Sequence, residues 1–189
     1  MSAITLPSIN AEILQAAHFS ASVLKERGYD AVSLKAVDFD AEELKGAGFT
    51  AMDLRCAGFL LEELRAGGFT APEVSDAGFS PKRLQKAGYS AYELKEELHL
   101  DLQHLKDAGY SVNDLKYCGY MALEMKQVGF SAKELKGYYS PGELFRAGFT
   151  KQELRPIGCW KHDGKWQAYN RYWDCCYELD PKSKYCANQ

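Results

Sequence analysis

The sequence predicts an all-α fold, a right- or left-handed solenoid of about 14–15 very short helices with a small Cys/His/Trp-rich C-terminal cap. Three observations predict it. An aromatic residue returns every ten positions, an aliphatic residue follows each aromatic by five, and helix start and stop signals stand at fixed offsets between them. The resulting decapeptide repeat reads F-[S/T]-A-x-E-L-K-x-A-G. It runs from an imperfect copy at Ile9, Asn10 and Leu14 to about residue 158.

The unit from Phe49 to Gly58 shows why this spells a helix. Thr50 suits the N-cap, where its hydroxyl accepts from an orphan N–H of the first turn. Asp53, three residues on, can reach back to the N–H of the cap, which makes a capping box. Phe49 and Leu54 flank that cap as a hydrophobic staple. Gly58 suits the left-handed residue that closes a helix, and Phe59 supplies the apolar contact beyond it. Ser, Thr, Asp or Asn fills the cap position in every unit except at Leu60 and Met121. Helices of about seven residues are too short to stand alone in water. Neighbours must therefore stack, with consecutive helices on alternating sides and two units per coil. A β-helix is the alternative architecture, because Leu and Phe also recur every five residues. The large residues two before each Leu (Glu42, Met52, Glu62, Lys82) disfavour a narrow β-coil.

Two places break the period. Leu94 and Leu105 are eleven apart, and Ala91, Leu94, Leu98, Leu102, Leu105 and Ala108 form one stripe at spacings of three and four. That predicts two units fused into one helix over about 91–108. Leu135 and Leu144 are nine apart, with Pro141 in a tolerated first-turn position after Ser140.

Composition narrows the function. The 189 residues carry a formal charge of −3, which argues against a strongly basic nucleic-acid binder. No apolar run is long enough to span a membrane, and the N-terminal stretch has neither signal-peptide nor transit-peptide character. An intracellular, most readily cytoplasmic, protein is expected. Lys or Arg follows most repeat leucines (Lys25, Lys35, Lys45, Arg55, Arg65, Lys106, Lys116, Lys126, Lys136), so stacking would align a basic ridge beside acidic rows. Such a ridge could meet phosphates; a solvated, charge-alternating surface is the plainer reading. His18, His99 and His104 have no metal-ligand partners in the array. Cys56 and Cys118 read as small, reduced packing residues.

From Cys159 the composition changes, which divides the chain into a solenoid over 1–158 and a C-terminal module over 159–189. All three tryptophans (Trp160, Trp166, Trp173) and four of the six cysteines lie there. Cys159, His162, Cys175 and Cys186, with Cys176 as an alternative, offer Cys3His ligands for one structural zinc ion. Two disulfides among the four cysteines are the alternative, and spacing does not choose the pairing. The run of Cys159, His162, Gly164, Trp173, Cys175, Cys176 and Cys186 resembles the second half of a CHORD zinc module, a protein-interaction domain. Asp163 stands where that family has Pro, and the upstream paired cysteines and final His are missing. The resemblance implies at most one zinc ion and an adaptor role.

No catalytic constellation emerges, because the Ser, Thr and acidic residues recur as caps and capping-box partners. The expected function is a non-enzymatic repeat scaffold that binds other proteins or acts as a spacer in a larger assembly, without a small-molecule substrate. An exposed apolar patch near Tyr117, Tyr138, Tyr139, Phe145 or the tryptophans would mark the binding face. Nucleic-acid binding through the Lys/Arg ridge and the C-terminal aromatics is the alternative.

Overall fold

The computed structural model describes residues 19–157, together with the backbone of 159–162 and 165–168. The first repeat copy, at Ile9 to Leu14, lies outside the described residues. The chain forms two compact units, one of residues 1–100 with 107–109 and one of 101–106 with 110–189.

The first unit holds α1 (Ala21–Glu26), α2 (Ala31–Lys35), α3 (Ala41–Gly46), α4 (Ala51–Cys56), α5 (Leu61–Ala66), α6 (Ala71–Asp76), α7 (Pro81–Lys86) and α8 (Ala91–Leu98). Helix α9 (Leu102–Ala108) follows. The second unit continues with α10 (Val112–Tyr117), α11 (Ala122–Gln127), α12 (Ala132–Leu135), α13 (Pro141–Arg146) and α14 (Lys151–Leu154). A 3-10 turn (Arg155–Ile157) leads to an antiparallel hairpin of β1 (Cys159–His162) and β2 (Lys165–Ala168). Cys159 pairs with Ala168 and His162 with Lys165.

Capping chemistry sets the ends of most of these helices. In α4 the Asp53 N–H donates to the Thr50 hydroxyl at 3.2 Å, and the Thr50 N–H donates to the Asp53 carboxylate at 2.8 Å. The same reciprocal pair closes α3, α8, α10, α12, α13 and α14. Leu60 and Met121 have no side chain able to accept, so only the carboxylate half remains, from Glu63 and Glu124. At the other end Gly48, with φ +81°, lets the Phe49 N–H return to the Leu44 carbonyl at 3.0 Å.

Within each unit a helix packs on the helix two further along. In the first unit α1 meets α3, α2 meets α4, α3 meets α5, α4 meets α6 and α6 meets α8; in the second, α11 meets α13 and α12 meets α14. Two helices therefore make one coil. The repeat leucines from Leu24 to Leu154 are fully buried, and most repeat aromatics are buried beside them. Small residues at the first helical position permit the close approach. At Gly67 an added Cβ would lie 2.7 Å from the Ala41 backbone, the tightest such contact with backbone among the described glycines.

The fused helix expected over 91–108 does not form. Helix α8 ends at Leu98 and α9 begins at Leu102. His99 takes the left-handed conformation, φ 53°, where most other units place Gly, and the Leu100 N–H returns to the Leu94 carbonyl at 3.2 Å. The Asp101 carboxylate accepts from the His104 N–H at 2.9 Å, and the Asp101 carbonyl accepts from Leu105 N–H. Asp101 is thus an ordinary N-cap. Local capping overrode a stripe that was apolar by spacing, for Leu98 stays partly exposed. The irregular unit is a normal one with a residue inserted and Leu100 in the aromatic place. At the second break α12 shortens to four residues, and Pro141 opens α13 as expected.

Candidate protein-docking face

The cation after most buried leucines does not form a free ridge. Its side chain crosses to the unit two ahead, where it caps the end of one helix and covers the ring that follows. Lys35 Nζ donates to the Gly58 carbonyl and sits 4.1 Å from the centre of the Phe59 ring. Lys45 Nζ donates to the Gly68 carbonyl at 2.6 Å and sits 4.7 Å from the Phe69 ring. It also pairs with Glu73 at 2.8 Å. Lys25, Arg55, Lys106, Lys116 and Lys126 repeat the arrangement on Phe49, Phe79, Phe130, Tyr139 and Phe149. Arg65 stacks 4.4 Å over Tyr89. Helix C-termini and aromatic faces both attract cations, so the two interactions reinforce each other. Eight of the nine cations that the sequence offered to phosphates are engaged inside the compact units, and Lys136 stays exposed.

Two tyrosines add a second tie. Tyr89 donates its hydroxyl to the Phe69 carbonyl at 2.7 Å, and Tyr139 donates to the Tyr120 carbonyl at 2.5 Å. Burial pushes the Tyr89 phenol up to about 12 and raises Tyr139 as well. Tyr139, expected on an exposed patch, is a core residue.

The apolar surface lies elsewhere. Among the described residues, nine large hydrophobic side chains are exposed, and five of them fall between residues 117 and 145: Tyr117, Met121, Leu123, Tyr138 and Phe145. Tyr117 is the most open, at 84%. Met121 and Leu123 line a groove of about 490 Å3 between α11 and α13. Sequence reasoning foresaw Tyr117, Tyr138 and Phe145 but missed this pair. The available signal was Met121 at a position where the repeat demands a polar cap.

The first unit carries the equivalent groove, about 440 Å3, between α3 and α5. There Asp40 and Glu42 stand where the second unit has Met121 and Leu123, and Ala66 stands where it has Arg146. Asp38 and Glu63 complete a wall of four carboxylates facing Lys35. One scaffold thus presents an acidic groove in one unit and an apolar, cationic one in the other.

Of the expected zinc ligands, Cys175, Cys176 and Cys186 lie outside the described residues. Cys159 and His162 stand at the two ends of β1. Thiolate and imidazole donors suit zinc chemically. The hairpin backbone lies against the last helices, β2 beside α13 and β1 beside α14. Cys118 is buried as expected, whereas Cys56 is exposed and does not pack. Among the described residues, no group of three His, Cys, Asp or Glu is placed to hold a metal, and no helix is long and apolar enough to cross a membrane.

One family model matches the chain, in three stretches. The model described as "Decapeptide repeat region" matches residues 8–60, 38–97 and 99–169. No curated protein and no solved structure matches the chain.

Proposed function

The chain belongs to the decapeptide repeat region family, and from that premise we propose that it is a non-enzymatic scaffold that binds other proteins. One observation carries the reading: five of the nine exposed large apolar side chains among the described residues fall between Tyr117 and Phe145, with Met121 and Leu123 in one groove, while the repeat leucines stay in the core. Exposed apolar side chains gathered in one region mark protein contacts more often than they serve a monomer. The engaged lysines support the same reading, since a phosphate-binding ridge needs free cations.

Photo-crosslinking tests it. A benzophenone amino acid at Tyr117 or Tyr138, irradiated in extract of the native source, should give discrete protein adducts. The same group at Val32, exposed in the first unit, should give few. Adducts to nucleic acid, or none from either position, would overturn the proposal.

A further inference from the structure

We infer that the groove between α11 and α13 binds a peptide segment of a partner protein, with apolar side chains in the groove and a carboxylate against Arg146. The inference rests on the scaffold reading and specifies its site. Three observations converge on it.

The first is the cost of Met121. In the first unit Leu60 is an apolar cap as well, but every other described cap of the second unit is polar and accepts from the third helical N–H. Met121 makes no such bond, and its side chain stands 64% exposed. An apolar residue that gives up a cap while staying in water gains nothing for the fold.

The second is coincidence of position. Relative to the equivalent groove of the first unit, four lining positions differ in charge together: Asp38 against Gly119, Asp40 against Met121, Glu42 against Leu123, and Ala66 against Arg146. Each difference moves the wall away from negative charge. The four carboxylates and one lysine of the first groove become one carboxylate and two cations in the second.

The third is which of those charges remain available. Glu143 accepts from the Ser140 N–H at 2.7 Å and from its hydroxyl at 2.6 Å, so it is committed to capping α13. Lys116 donates to the Tyr138 carbonyl and covers the Tyr139 ring. Arg146 is exposed, and its Nε donates to the Gly142 carbonyl at 3.3 Å. The two terminal nitrogens of its planar fork match a carboxylate. An apolar floor beside an arginine selects an acidic-apolar segment over a basic one.

The probe is a phage-displayed library of random 12-residue peptides, panned on the full chain. Enriched peptides should carry apolar residues next to Asp or Glu. By fluorescence anisotropy, their binding should weaken at least tenfold in Met121→Asp/Leu123→Glu, which puts back two of the first groove's carboxylates. Arg146→Glu should weaken them at least tenfold, and Val32→Glu should leave them unchanged. Met121→Asp alone restores a cap residue, so it should raise Tm while lowering affinity, which separates lost binding from lost folding. Enrichment of peptides without acidic residues, no enrichment, or binding indifferent to Met121→Asp/Leu123→Glu would overturn the inference. If the groove fails but Tyr117 and Tyr138 still crosslink to protein, the scaffold reading stands and the site lies elsewhere. If neither position crosslinks, the scaffold reading itself falls.

Discussion

Single residues in this repeat divide into those the fold requires and those it tolerates. Gly67 is required. A methyl group there meets the Ala41 backbone at 2.7 Å, so Gly67→Ala should destabilise by about 1–3 kcal/mol. Gly46 sits at the end of α3 with no atom within 4 Å of an added Cβ. Gly46→Ala should therefore stabilise by about 0.5–1 kcal/mol, because Ala loses less backbone entropy. Urea denaturation of the two variants reads both signs. Tyr89→Phe removes the bond to the Phe69 carbonyl and leaves that acceptor buried, for a loss of about 1–3 kcal/mol.

At the scale of the element, the cation–ring tie is the device that repeats. Lys35→Gln should cost about 1 kcal/mol, the size of an exposed cation–π contact together with a modest hydrogen bond. Arg should replace Lys there with less loss, as Arg55 already does on Phe79. By the same register Ser75 corresponds to Leu100, and where the ring is absent the cation is absent too. Acid should loosen the capping boxes. The Thr50 N–H and then its hydroxyl hold Asp53 below its usual range, and the Ser140 hydroxyl and then its N–H do so for Glu143. Groups lowered on folding lend stability above their unfolded values near pH 4, and that stability is lost as pH falls through their folded values. Urea midpoints should hold between about pH 7 and 5 and decline below about pH 4, with a shallower decline in Glu143→Gln. The capped helices were legible in the sequence because each needs only ten neighbouring residues. The ties between units were not, because a Lys and its ring are 23 or 24 residues apart and look like surface charge and core separately. The break at His99 was missed for a related reason. The apolar stripe favoured continuity, and the cap role of Asp101 was visible only as one polar residue among leucines.

At the scale of the whole molecule, two units built from one repeat differ in what they show to solvent. The helical stacks were readable from the period, whereas the contrast between the acidic and the apolar groove depends on which helices share a wall. The C-terminal Cys/His residues belong to this scale as well. On the zinc reading, native mass spectrometry with thiol counting should find one zinc per chain and no disulfide. Two disulfides and no metal would replace that reading with an oxidised cap.

The every-second-helix stacking also constrains how such a chain lengthens or shortens over generations. Excising Phe49–Gly58 removes half a coil and moves each following helix of the first unit to the opposite side. Excising Phe49–Gly68 removes a whole coil and leaves each on its own side. Twenty residues, not ten, is then the step that inheritance can add or delete without exchanging one face for the other.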